Sequence, residues 1–140
     1  MKVFRSPGGK ATFFILAGIL TFMAQGYSMV YVTVKEMSEA SKIARHLVER
    51  RLIACANMFP IISVYPWWGK VEEGEEVAMI MKTRSSLVDE VIKEVQKVHT
   101  YEVPCIVSYK MEKGLQGYLD WLDAETGPKT EPKVPAKKKQ

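Results

Sequence analysis

Histidine and cysteine are scarce in this chain, two of each in 140 residues. His46 and His99 stand in no nucleophile or metal motif, so a Ser–His–Asp or Cys–His catalytic constellation has nothing to be built from. Cys55 and Cys105 lie far apart with no C-x-x-C spacing. Both fall in apolar, strand-like runs, where a free cysteine packs as a small hydrophobe, and a domain of this size needs no covalent staple. They are expected to be buried free thiols. An apolar run of about 20 residues, the length of a membrane span, is also missing; the nearest is Ala11–Ala24.

A basic interior is lacking as well. The formal net charge is +4, but residues 1–28 carry +3 and residues 127–140 carry +4, leaving 29–126 with 12 basic against 15 acidic residues. Phosphate backbones are held by Lys and Arg clustered on the folded surface. With the excess confined to the ends, no nucleic-acid partner is expected. At the front, Lys2, Arg5 and Lys10 precede the apolar run, and small residues stand at Ala24 and Gly26. That outline fits an export signal or anchor, and it fits equally a chain whose translation starts at Met29. A membrane partner follows only if residues 11–26 are kept as an anchor; otherwise the protein is expected in the cytoplasm. Residues 29–126 form the domain on this reading, with 1–28 an extension and 127–140 a disordered Lys- and Pro-rich tail.

Within the domain the hydrophobic periods are legible. Val30–Val34 is a β-branched strand. Ser38 is placed to cap a helix whose apolar positions are 40, 43, 44, 47, 48 and 52, leaving His46 on the solvated face. Ile53–Trp68 and Lys70–Arg84 read as two long strands joined at Gly69, with Pro60 and Pro66 marking a bulge, a bend or an edge. Val77–Met81 is apolar on both faces, as a central strand should be. Ser86, with Asp89 three residues on, opens a second helix. His99–Pro104 is a loop, Cys105–Tyr109 a strand, and Leu115–Leu122 a short helix stopped by Gly127-Pro128. The order predicts an α+β, ferredoxin-like (βαββαβ) antiparallel sheet with helices on one face, plus a C-terminal helix. The other face is left open and needs a partner subunit to cover it.

Two clusters carry candidate chemistry. Glu72, Glu73, Glu75 and Glu76 suit a hard cation, or a solvated strand edge that resists aggregation, with Lys70, Lys82 and Arg84 close enough to pair with them. His99, Glu102 and Cys105 bracket one loop and offer donors that suit copper or zinc; alternatively, His99 closes the preceding helix. The aromatic set Tyr65, Trp67, Trp68, Tyr101, Tyr109, Tyr118 and Trp121 fits core or interface better than a ligand cage.

With Arg51–Asn57, Tyr65–Lys70, Lys82–Thr83, His99–Pro104 and Tyr118–Trp121 in order, the chain resembles the CutA family, the divalent-cation tolerance proteins. The resemblance covers about Met29 to Glu125. It implies a ferredoxin-like protomer in a tight homotrimer, non-enzymatic, with long strands pairing between subunits; Tyr65, Trp67, Trp68 and Trp121 are the expected interface residues. It also implies a role in tolerance of divalent metal, copper foremost, with His99, Cys105 and Glu102 as the candidate ligands. The chain departs from the copper-binding pattern at Val32, where a cysteine is expected, and at Cys105, where a glutamate can stand. A likeness to the PII signalling proteins implies the alternative of a trimeric sensor that binds a small anionic ligand between subunits, through Lys70, Lys82, Arg84 and Tyr101.

Overall fold

The longest strand is the axis of the molecule. The computed structural model describes residues 26–129; the export-like segment up to Gln25 and residues 130–140 of the basic tail lie outside them. The order is β1 (Tyr27–Val34), α1 (Met37–Glu49), β2 (Cys55–Trp67), β3 (Lys70–Arg84), a 3-10 turn (Ser85–Leu87), α2 (Val88–Val98), β4 (Ile106–Met111) and α3 (Gln116–Glu125). The strands form one antiparallel sheet in the order β2-β3-β1-β4, the ferredoxin-like arrangement. β1 begins two residues before Met29, so Tyr27 and Ser28 belong to the sheet.

Alternation fixes which face is core. Ser28, Val30, Val32 and Val34 are buried and the residues between them only partly so. The valines meet the stripe Ala40, Ile43, Ala44 and Leu47 of α1 and Val88, Val91 and Val95 of α2. Each β-branched or leucine side chain taken fully from water there contributes roughly 1.5–3 kcal/mol. Val77, Met79 and Met81 of β3 are buried on the core face, and on the other face Ala78 is buried while Ile80 is only half-covered.

Both predicted serine caps are corrected. α1 starts at Met37 with Glu36 at the cap position, and the Ser38 hydroxyl donates to Glu36 Oε1 at 2.8 Å. Ser86 sits inside the 3-10 turn, and neither α1 nor α2 has a side-chain cap. His46 is corrected too. It is paired with Glu94 of α2 at 2.8 Å, and Lys97 and Arg50 close on the same carboxylate at 3.2 and 3.4 Å. Hydrogen bonds from His46 and then Lys97 hold the Glu94 carboxyl below its ordinary value. A depressed carboxylate stabilises the fold above its unfolded value, and that contribution disappears as pH falls through the folded one. Glu94→Gln is therefore expected to lower the melting temperature at pH 7, with the gap to wild type closing below about pH 4. A gap of constant size across pH 3–7 in thermal melts would sink this account.

β2 and β3 run on well past the sheet. β1 pairs with β3 only from Val77 to Arg84, whereas β2 pairs with it from Lys70 to Lys82. The free arm thus spans Ile61–Glu76. The register is unbroken at Pro60 and Pro66, which face Val77 and Val71; neither makes a bulge, because β2 is the edge strand and its missing donors are not needed. Trp68 and Gly69 turn the arm with φ of 49° and 75°, a two-residue connection of the type matched to strand twist.

α3 crosses the opposite face at the Tyr27–Arg84 end, so that face is not wholly open as predicted. The Tyr27 hydroxyl donates to Asp123 Oδ2 at 2.7 Å, and burial first, then that bond, pushes the phenol up to about 12. Tyr118 lies over Cys55, oxygen to sulfur 3.4 Å, and stacks at 5.5 Å on Trp121. Leu122 is fully buried.

Candidate functional site

The loop after α2 is built by one histidine. α2 ends at Val98, and His99, in extended conformation, folds its ring back beneath β1. Its Nδ1 accepts the Tyr101 backbone N–H at 3.0 Å, which leaves the proton on Nε2 to be donated to the Thr33 carbonyl at 2.8 Å. The side chain is 0% exposed. Glu39 of α1 closes the loop from the other side, accepting from Thr100 N and Oγ1 at 3.1 and 2.9 Å with one oxygen and from Lys35 N at 3.3 Å with the other. Tyr101 then reaches across to Glu76 at the base of the arm, hydroxyl to Oε1 2.9 Å. Its phenol is pushed well up by burial and then by Glu76. Neither Glu39 nor Glu76 was singled out from the sequence for this role. No motif marks them, since their partners lie 61 and 25 positions away.

The expected metal trio does not assemble. Both His99 nitrogens are spent on the backbone, Glu102 is exposed, and Cys105 is exposed and not buried as its apolar context suggested. Partial burial of the thiol, then the Glu76 charge, push the Cys105 pKa up. Among the described residues no group of three His, Cys, Asp or Glu could hold a metal ion. Cys55 is half-buried; both thiols are free, as predicted.

The expected anion set is also dispersed. Lys70 flanks the turn, Lys82 donates to Asn57 Oδ1, and Arg84 is taken up by α3, donating Nε to Thr126 Oγ1 at 3.0 Å and a terminal nitrogen to the Asp123 carbonyl. Lys82 and Arg84 therefore do not pair with the arm glutamates: they lie six or more positions further along β3, about 20 Å away at strand rise. A groove of about 570 Å³ does open beside the loop, with Lys35, Lys42, Glu39, Thr100 and Tyr101 in its wall. It shares only Tyr101 with the predicted set.

The remaining feature is apolar surface. Ile62, Val64 and Val71 on one side of the arm are 69%, 63% and 78% exposed, and Trp68 at the tip is 89% exposed. Trp67 packs edge-on against it at 6.5 Å. On the sheet face beyond α3, Phe59, Val107 and Tyr109 are exposed as well. Trp121, one of the expected interface residues, is half-buried beside Tyr118 on α3.

The chain is similar in sequence and in fold to known proteins. Residues 28–125 match the family described as CutA1 divalent ion tolerance protein. The Divalent-cation tolerance protein CutA of Archaeoglobus fulgidus is 45% identical over 97 residues, 69% of this chain and 95% of that protein. Protein CutA of Homo sapiens is 45% identical over 96 residues, 68% of this chain and 54% of the human protein. The solved structure of the A. fulgidus protein, described as periplasmic, superposes with a TM-score of 0.70 at 44% identity, covering 71% of this chain and 97% of that one. CutA1 from Ehrlichia chaffeensis gives 0.72 at 31% identity, covering 74% and 98%. No helix among the described residues is long and apolar enough to cross a membrane. By matched length, identity and shared fold, the chain belongs to the CutA1 divalent ion tolerance family.

Proposed function

We propose that the chain works as a non-enzymatic homotrimer in the response to divalent cations, copper first among them. The observation that carries the assembly is the arm. A two-stranded ribbon with Ile62, Val64, Val71 and Trp68 in water is not a stable end state, and large exposed apolar surface of this kind marks an interface. Three copies give each arm, and each half-open sheet face, a partner. The cation reading is supported by the names of the relatives. The residues of one protomer do not fit a resident copper ion, since both His99 nitrogens are spent and, among the described residues, no group of three His, Cys, Asp or Glu gathers to hold a metal. The ion is on this reading cargo or signal and not a structural cofactor.

Light scattering at micromolar concentration is expected to give three times the 15.9 kDa chain mass, and Ile62→Asp with Val64→Asp to shift it towards one. A wild-type monomer would overturn the assembly. Calorimetric titration of the trimer with copper tests the ion separately; no binding heat at micromolar copper removes copper from the reading and leaves the trimer standing.

A further inference from the structure

We infer that Tyr101, seated by His99 and bonded to Glu76, is the positioning residue that fixes the angle of the hairpin arm so that it meets a second copy of the chain. The inference rests on the trimer reading above and deepens it.

The arm is a lever with a defined fulcrum. β3 is held between β2 and β1 up to Val77, and Glu76 is the first residue beyond that support. From Glu76 to Lys70 the arm projects about 20 Å at the rise of a strand. A slack of about 10° at its base would move the tip by about 4 Å, whereas partners in preorganised complexes shift by about 1 Å or less. An arm free to swing would spend binding free energy on being ordered. Among the described residues, no other side-chain hydrogen bond or ion pair reaches residues 61–76 from the rest of the domain.

The anchor on the domain side is stiff. Tyr101 is held by its backbone N–H to His99 Nδ1, and its ring lies against the imidazole at 4.9 Å between centroids. His99 is tied through Nε2 to Thr33, near the end of β1, and Glu39 fixes Thr100 beside it. The path from β1 through His99 and Tyr101 to Glu76 thus spans the place where the arm leaves the sheet. A tyrosine phenol is a hydrogen-bond donor at neutral pH, and the partner is a carboxylate, the stronger kind of acceptor. The His99–Pro104 motif on this account is a bracket for the arm.

Two measurements test it: the concentration midpoint of assembly by sedimentation, and the distance distribution between spin labels at Ser63→Cys on the arm and Lys42→Cys on α1. Labels are placed in a Cys55→Ser, Cys105→Ser background and labelled chains diluted into unlabelled. Tyr101→Phe and Glu76→Ala are expected to raise the midpoint at least about tenfold and to broaden the distance distribution. Glu76→Gln, whose amide oxygen still accepts from the phenol as a weaker, neutral partner, should fall between Glu76→Ala and wild type, within roughly fivefold of wild type. Glu76 lies outside the core, so its variants remain informative if Tyr101→Phe fails to fold. Equal behaviour of Glu76→Ala and Glu76→Gln, or an unchanged distribution in Glu76→Ala, overturns the inference. A monomeric wild type would refute the trimer alone, because the distance measurement reads the arm angle in either state.

Discussion

His99→Ala is expected to cost about 3 kcal/mol or more in urea unfolding while leaving copper titration of the folded protein unchanged. The two halves of that result have one cause. The imidazole is fully buried and bonded at both nitrogens, to Thr33 and to Tyr101. Removing it takes the histidine partner from a part-buried carbonyl and a part-buried N–H, each loss worth up to about 1–3 kcal/mol, and adds a cavity the size of the ring. A metal ligand behaves differently. A histidine that binds metal offers a free nitrogen lone pair, and here the Nδ1 lone pair is spent on Tyr101 N–H while Nε2 carries the proton. Cys105→Ser is the milder companion, since the exposed thiol contributes little to packing. If His99→Ala kept full stability and lost copper binding, the bracket would be wrong and the histidine a ligand after all.

The histidine shows where reading a sequence stops. Its position at the end of α2, beside a glutamate and a cysteine, is visible in the chain, and those residue types do suit a soft metal. What decides its role is Thr33, 66 positions away, and no local pattern reports that contact. The same holds for Lys82 and Arg84. Their spacing to the arm glutamates is short in sequence, but a strand converts each position into about 3.3 Å, and the charges end far apart. By contrast the element order, the hairpin at Gly69 and the core stripes were legible, because period 2 and period 3.6 record which side of an element is buried. Periodicity identifies a buried face without naming what covers it. The half-open sheet face was inferred on those grounds, but the docking of α3 on one end of it was not. Only Leu122 of that helix is fully buried, so the apolar pattern that would announce a docking face is faint.

What holds α3 is instead a pair of arginines, and the larger contribution is expected from Arg51. α1 ends at Glu49 with Arg50 at the cap, and Arg51 follows with φ of 59°, so that its N–H bonds Val48 O at 2.9 Å and the next N–H bonds Leu47 O at 3.0 Å. This is the helix stop in which glycine is the usual residue. Placing an arginine there costs roughly 1 kcal/mol of backbone strain. The offset is at the other end of the side chain: Nε donates to Gly127 O at 2.8 Å, a terminal nitrogen donates to Ala124 O, and Glu125 lies 3.9 Å away. The guanidinium thus meets the carbonyl end of α3, where the helix dipole favours positive charge. Each charge-assisted bond contributes about 1.5–3 kcal/mol when little exposed, and the Arg51 side chain is 22% exposed. Arg51→Ala, which keeps the strain and loses the clamp, is expected to cost about 3 kcal/mol in urea unfolding. Arg51→Gly should cost about 1 kcal/mol less than that, because it relieves the strain while the Gly127 N–H still bonds the residue 51 carbonyl at 2.9 Å. Faster amide exchange confined to α3 should accompany both variants. A glycine variant as stable as wild type would mean that the clamp contributes no more than the roughly 1 kcal/mol of strain it offsets, and that α3 is held chiefly by Leu122, Tyr118 and Trp121.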